Sequence, residues 1–164
     1  LRIERLPEDV IFILTAGYIV WLMLFIGESK VSFEKVSGAV DQAVDKGRLA
    51  EQSGLMLKRN FGLNSSDYAG VSYYASESGI SAEEVLLICV ESDSQIRQVT
   101  DALEARVEKQ IGDFEEKAPD QVKLLEEARQ TVKGRYIFFS VSSESGRYHQ
   151  AFGLSLTSYS LSFM

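Results

Sequence analysis

From Val10 to Gly27 the chain carries no charged side chain, whereas beyond Lys30 apolar residues recur at the intervals of helices and strands. The first pattern predicts a helix without a polar face. At about 1.5 Å per residue the run spans roughly 27 Å, close to the ~30 Å hydrocarbon core of a bilayer. A small domain has little to wrap around such a helix, so the run reads as an uncleaved transmembrane anchor over 10–27 within an N-terminal segment 1–30. A cleaved signal peptide and a buried helix are the alternatives. Signal peptides have shorter apolar cores with small residues at the cut, and here Glu28 separates Gly27 from Ser29 with no Ala-x-Ala pattern. Arg2 and Arg5 before the run are balanced by Lys30 and Lys35 after it, so the basic residues set no orientation.

The following stretch, 31–156, reads as an α+β domain. Ser32 is placed to cap a helix with the stripe Phe33, Val36, Val40 and Val44, ending near Gly47. A second helix, about Glu51 to Phe61, carries Leu55, Leu57 and Phe61, with Gly62 as a left-handed stop. Asn64 to Asp67 form a turn or a single helical turn. Asn64 also heads a glycosylation sequon, although a turn-forming asparagine accounts for it. Tyr68 to Ala75 read as a strand, Ser76 to Gly79 as a turn, and Glu84 to Glu91 as a strand buried on both faces.

Ser92 with Gln95 matches a capping box for the longest helix, whose stripe is Ile96, Val99, Leu103, Val107, Ile111 and Phe114. Ala118-Pro119 breaks it, and the proline suits the first position of a short helix through about Ala128. Gln130 to Val132 and Tyr136 to Val141 flank Lys133-Gly134 as a hairpin or a strand reached by a tight turn. Gly146 to Leu156 fits a last helix with Tyr148, Phe152 and Leu156 inward, followed by a serine-rich tail, 157–164, that alternates polar and apolar residues. The irregular succession of elements points to a small, mostly antiparallel sheet with helices packed on one face.

Composition narrows the function classes. The 164 residues are 45% hydrophobic and 25% charged, as in globular proteins, and the net charge of −7 opposes binding to nucleic acid. The single cysteine, Cys89, lies in an apolar run and reads as core packing; alone it excludes an internal disulfide and paired-cysteine zinc motifs. The acidic residues read as a solvated helical face. Adjacent acids at Glu83-Glu84, Glu115-Glu116 and Glu126-Glu127 point in different directions and make poor acid–base pairs. Tyr73-Tyr74 would place one ring on each face of a strand.

The only histidine, His149, sits near Ser143, Ser145, Arg147 and Tyr148. A nucleophile and base need an orienting partner that a sequence cluster does not show, so a surface histidine in a serine-rich loop is expected. No nucleophile elbow, phosphate loop, His-Glu-x-x-His or EF-hand pattern occurs. No catalytic, cofactor-binding or metal-binding residue is assigned, and no cofactor is expected.

Two stretches carry a family resemblance. Phe114-Glu115-Glu116-Lys117-Ala118-Pro119-Asp120-Gln121-Val122-Lys123-Leu124-Leu125 resembles a segment where a long helix meets a Tyr-Ala-Pro-Glu-Gln-type junction. Val132-Lys133-Gly134-Arg135-Tyr136-Ile137-Phe138-Phe139 resembles the Lys-Gly-Asn-Tyr strand start that follows it. Together they resemble the domain of unknown function 4358 family over about Phe33 to Leu156, with Gly62-Leu63 and the unit from Val85 to Phe114 at equivalent places. Lys117 stands where an aromatic residue is usual and Arg135 where asparagine is frequent. The lipidated cysteine of many members is absent, and the tail after Leu156 is not part of the pattern. The resemblance implies an exported or membrane-tethered protein of Gram-positive bacteria and supplies no reaction, ligand or active site.

The expected function is a membrane-anchored extracytoplasmic module, non-enzymatic, binding a protein or envelope component. The alternatives are a cell-envelope hydrolase using the Ser143 and His149 region, and a cytoplasm-facing membrane-tethered regulator.

Overall fold

The computed structural model describes residues 13–20 and 31–157. Residues 13–20 are helical, and the apolar side chains of Ile13, Leu14, Ile19 and Val20 are exposed. The rest of the expected membrane span 10–27, and the tail from 158 to 164, lie outside the described residues. Among the described residues no helix is long and apolar enough to cross a membrane.

Residues 31–157 build an α+β fold around a five-stranded sheet, β1 (Ala50–Glu51), β2 (Gly70–Ala75), β3 (Glu84–Cys89), β4 (Arg129–Lys133) and β5 (Tyr136–Val141), in the order β1-β2-β3-β5-β4. Every pairing is antiparallel. The helices are α1 (Phe33–Ala43), α2 (Gly54–Phe61), α3 (Ser94–Phe114), α4 (Pro119–Glu126) and α5 (Ser145–Thr157), with a short 3₁₀ turn at Ser65–Asp67.

The helices do not share one face of the sheet, contrary to expectation. Every residue of β3 is buried, so alternate side chains need cover on both sides. Leu86 and Ile88, with Ile137 and Phe139, pack against Leu57 and Phe61 of α2, Val99 and Leu103 of α3 and Leu125 of α4. Val85, Leu87 and Cys89, with Tyr136 and Phe138, pack against Val36 and Val40 of α1 and Tyr148 and Phe152 of α5. Cys89 is a core residue, as its apolar run predicts.

Several boundaries differ from the sequence reading for local reasons. Helix α1 ends at Ala43 rather than near Gly47, because Val44 adopts an extended backbone and its N–H bonds back to Val40. The Ser32 side chain makes no cap. Helix α2 starts at Gly54, where the Ser53 side chain accepts from Met56 N–H, and ends as expected on left-handed Gly62. The residues before it form β1, which its two-residue length concealed. The Ser92–Gln95 capping box does not close, since Ser92 Oγ pairs with Ser94 Oγ while Gln95 reaches back to Glu91 N–H. Pro119 opens α4 and Gly134, at φ 58°, turns the β4–β5 hairpin.

Register defines two ends of the sheet. Gly70, Cys89 and Tyr136 lie side by side at one, and Ala75, Glu84 and Val141 at the other. Five steps of about 3.3 Å separate them by roughly 17 Å. The chain joins the first end, where the Val31 carbonyl accepts a hydrogen bond from Tyr136 Oη and the Phe33 ring lies over Gly70. A Cβ at Gly70 would run into that ring. Gly70→Ala is therefore expected to lower unfolding stability by about 1–3 kcal/mol, read from the urea midpoint, by displacing the start of α1.

Candidate functional site

The far end of the sheet holds a polar cleft of about 350 Å³. Its walls come from α2 with its preceding loop (Gln52, Met56, Asn60), the β2–β3 connection (Ser76, Glu77, Ser81) and α3 (Arg106, Gln110). Helical spacing explains the α3 contribution. Leu103 and Val107 face the core, and Arg106 and Gln110, four residues apart, follow the same face at its border.

Glu84 lies at the floor and is 1% exposed. Its carboxylate accepts from Tyr73 Oη at 2.8 Å and from Arg106 Nε at 3.2 Å and Nη2 at 3.4 Å. The Gln110 amide, oriented to satisfy both neighbours, donates to Glu84 Oε1 at 2.9 Å and accepts from Arg106 at 3.0 Å. Asn60 Nδ2 donates to the same Tyr73 oxygen at 2.8 Å, and the Arg106 guanidinium lies 5.6 Å from the Phe61 ring centre. Burial raises the Glu84 carboxyl above its ordinary range, while Arg106 and Tyr73 oppose the rise. Burial likewise drives the Tyr73 phenol upward, reinforced by the Glu84 charge.

Glu83 points the other way, as adjacent strand residues must. It pairs with Arg48 and accepts from Ser142 Oγ at 3.0 Å. The reading of acidic residues as a solvated face therefore fails at this pair: both glutamates are buried, each against an arginine from a different helix or loop. Tyr73 and Tyr74 do place one ring on each side, but both are buried. Tyr73 meets Phe61 edge-on, and Tyr74 Oη donates to Asp41 at 2.7 Å, with its phenol pushed up to about 12 by burial.

His149 is not on a surface loop. Helix α5 begins at Ser145, and its phase turns His149 toward β4 and β5. Its Nδ1 lies 3.1 Å from Thr131 Oγ1 and its Nε2 3.1 Å from Ser140 Oγ, which donates to Ser145 Oγ at 2.8 Å. The ring meets Phe138 edge-on at 4.6 Å. Ser143 is exposed and outside this chain of hydrogen bonds, so the structure does not bring it together with His149. Burial, then the Arg129 charge, lowers the His149 pKa to about 4. Burial also raises the Cys89 thiol. Among the described residues no group of three His, Cys, Asp or Glu side chains is arranged to hold a metal ion.

Sequence reasoning missed the Glu84–Arg106–Gln110–Tyr73–Asn60 network. The available signal was a glutamate opening a strand otherwise entirely apolar, a position that burial on both faces makes costly unless the charge is paired.

Two predictions follow from this geometry. Arg106→Met leaves a buried carboxylate without its cation and is expected to cost about 3–5 kcal/mol, with much of the loss recovered in the double variant Arg106→Met, Glu84→Gln. Chemical denaturation of the four proteins of the cycle measures it. For His149, the folded pKa lies below the unfolded one, so the unfolded chain binds the extra proton. Its contribution is complete above pH 6.5 and is lost as pH falls toward 4. The wild-type stability is expected to fall across that window, relative to His149→Gln, by up to about 2 kcal/mol after discounting for partial exposure.

No curated protein and no solved structure matches the chain. The family model for the domain of unknown function (DUF4358) matches residues 42–142, a span that contains all five strands and every residue of the polar cleft, from Gln52 to Gln110, while His149 and α5 fall beyond it. With more than half of its length matched, the chain belongs to the DUF4358 family.

Proposed function

We propose that this protein is a membrane-anchored, extracytoplasmic binding module, tethered by the apolar segment 10–27, whose recognition site for a protein or envelope component is the polar cleft. The placement of the cleft carries this reading. The chain enters the sheet at Val31, beside Tyr136, and the cleft opens at the opposite end, so a tether at the first end presents the second away from the bilayer. The exposure of Ile13, Leu14, Ile19 and Val20 supports the tether over the buried-helix alternative, because these side chains are not packed into the domain. The net charge of −7 supports a domain that stands clear of anionic headgroups and of nucleic acid.

The polar floor of the cleft supports recognition as its role. A buried ion pair is a poor source of stability compared with apolar residues of the same volume, yet it fixes the orientation of the groups around it. Here it is tied through Tyr73 to the Asn60 amide, while Gln52, Ser76 and Ser81 also line an open volume without aromatic closure. A hydrolase based on Ser143 and His149 lacks this support, since the ring nitrogens of His149 are engaged by Thr131 and Ser140.

Protease added to intact cells is expected to degrade the domain and leave a membrane-bound N-terminal fragment, while inverted vesicles protect it. Digestion only in inverted vesicles places the domain in the cytoplasm. Recovery of the full-length chain in the aqueous fraction removes the tether altogether.

A further inference from the structure

A second feature lies on the opposite flank from the polar cleft and does not depend on that reading. The sheet has two edges. The β1 edge is two residues long, but the β4 edge is five residues long and its side chains are largely exposed, with Val132 at 41%. Beside β4 runs a groove of about 330 Å³, floored by Leu103 and Val107 of α3, Leu125 of α4 and Phe139 of β5.

The backbone phase of β4 follows from one hydrogen bond. Val90 N–H bonds to the Arg135 carbonyl, so Arg135 points its backbone toward β3, and alternation turns Tyr136, Phe138 and Ser140 toward β4. Their partners Lys133, Thr131 and Arg129 are the bonded positions. Gln130 and Val132 therefore direct N–H and C=O outward, away from β5. Gln130 lines the groove, and Val132, two residues on, shares its face. A strand added here would bond to Gln130 and Val132 while its alternate side chains drop into the groove.

We propose that this edge and groove form a docking site for an extended peptide that adds a sixth antiparallel strand, with apolar residues at alternate positions and basic residues flanking them. Charge selects the flanks. Glu104, Glu108 and Glu126 stand exposed on the groove against one cation, Arg129, and none of the three enters an ion pair among the described residues. Charge also argues against a second copy of the chain. Self-pairing of β4 centred on Thr131 sets Arg129 of one copy opposite Lys133 of the other, and like charges directly opposite are destabilising. Main-chain bonds supply affinity and the groove supplies selection, as in other cases of strand addition.

The test uses a fluorescein-labelled peptide, Lys-Thr-Val-Thr-Val-Thr-Lys, with the same peptide bearing glutamate at both ends as control, and fluorescence anisotropy as readout. Saturable binding of the lysine peptide is expected, weakening with salt, with the control binding at least about tenfold more weakly. Val132→Pro removes an outward N–H without touching the β5 ladder, and is expected to weaken binding about tenfold while the thermal midpoint stays within a few degrees. Should that variant fail to fold, the paired charge reversal Glu104→Lys, Glu108→Lys tests the same site and is expected to reverse the preference between the two peptides. Equal affinity for both peptides, or unaltered binding by the variants, overturns the proposal. So does an approximately tenfold gain on deleting residues 158–164, which would assign the groove to the chain's own terminus.

Discussion

Strand β3 sets the terms for the rest of the molecule. Each of its six residues is buried, and it is hydrogen-bonded on both sides, to β2 and to β5. A strand so placed can tolerate no uncovered face, because each apolar side chain left in water forfeits about 1.5–3 kcal/mol. Two helical layers must therefore form, and two cores with them, divided by a sheet one residue thick. Leu86 and Ile88 report to α2, α3 and α4, whereas Val85 and Leu87 report to α1 and α5. The cores meet only through the backbone of the sheet, which couples them by register rather than by shared side chains.

The polar cleft arises from the same constraint. Where β3 begins, alternation continues past the apolar residues and sends Glu83 and Glu84 to opposite faces just as the layers run out of apolar cover. Each carboxylate is taken up by an arginine, Arg48 on one side and Arg106 on the other. The Glu84 side is the more enclosed, with hydrogen bonds from Tyr73 and the Gln110 amide completing its shell. Such a network is favourable only when all of its members are in place. That is why it restrains the positions of α2 and α3 relative to the sheet more strictly than apolar packing alone.

Much of the architecture was legible along the chain because it is encoded locally. The stripe from Ile96 to Phe114 has one period, Gly62 and Gly134 occupy left-handed positions, and Pro119 opens a helix, so each needs only its neighbours to be understood. Burial of β3 on both faces was also readable, yet the arrangement of helices on one face did not follow from it; the apolar stripes of α1 and α5 needed a sheet face of their own. Non-local pairings were hidden. Glu84 and Arg106 lie 22 residues apart, separated by the rest of β3, a turn and about three turns of helix, and nothing in either residue's surroundings names the other. Gln110 reads as polar on a helix and is nonetheless buried, because its amide completes an ion pair. His149 was misplaced for a phase reason: with α5 beginning at Ser145, its ring turns inward to Thr131 and Ser140.

The two layers differ in what they demand of a sequence. Helices α1 and α5 meet the sheet through Val36, Val40, Tyr148 and Phe152, and also through directional bonds, from Tyr74 Oη to Asp41 and between His149 and both Thr131 and Ser140. The layer of α2, α3 and α4 differs in enclosing the Glu84–Arg106 ion pair, whose donors and acceptors must coincide within a few tenths of an ångström. The family match, 42–142, spans the second layer and all five strands but excludes α5 and most of α1. The excluded helices still have a structural task, since α1 follows Val31 and its first residue, Phe33, lies on Gly70 at the end of the sheet remote from the cleft. The contacts of Val31 and Phe33 and the Glu84–Arg106 network thus sit at opposite ends of the sheet, about 17 Å apart along β3.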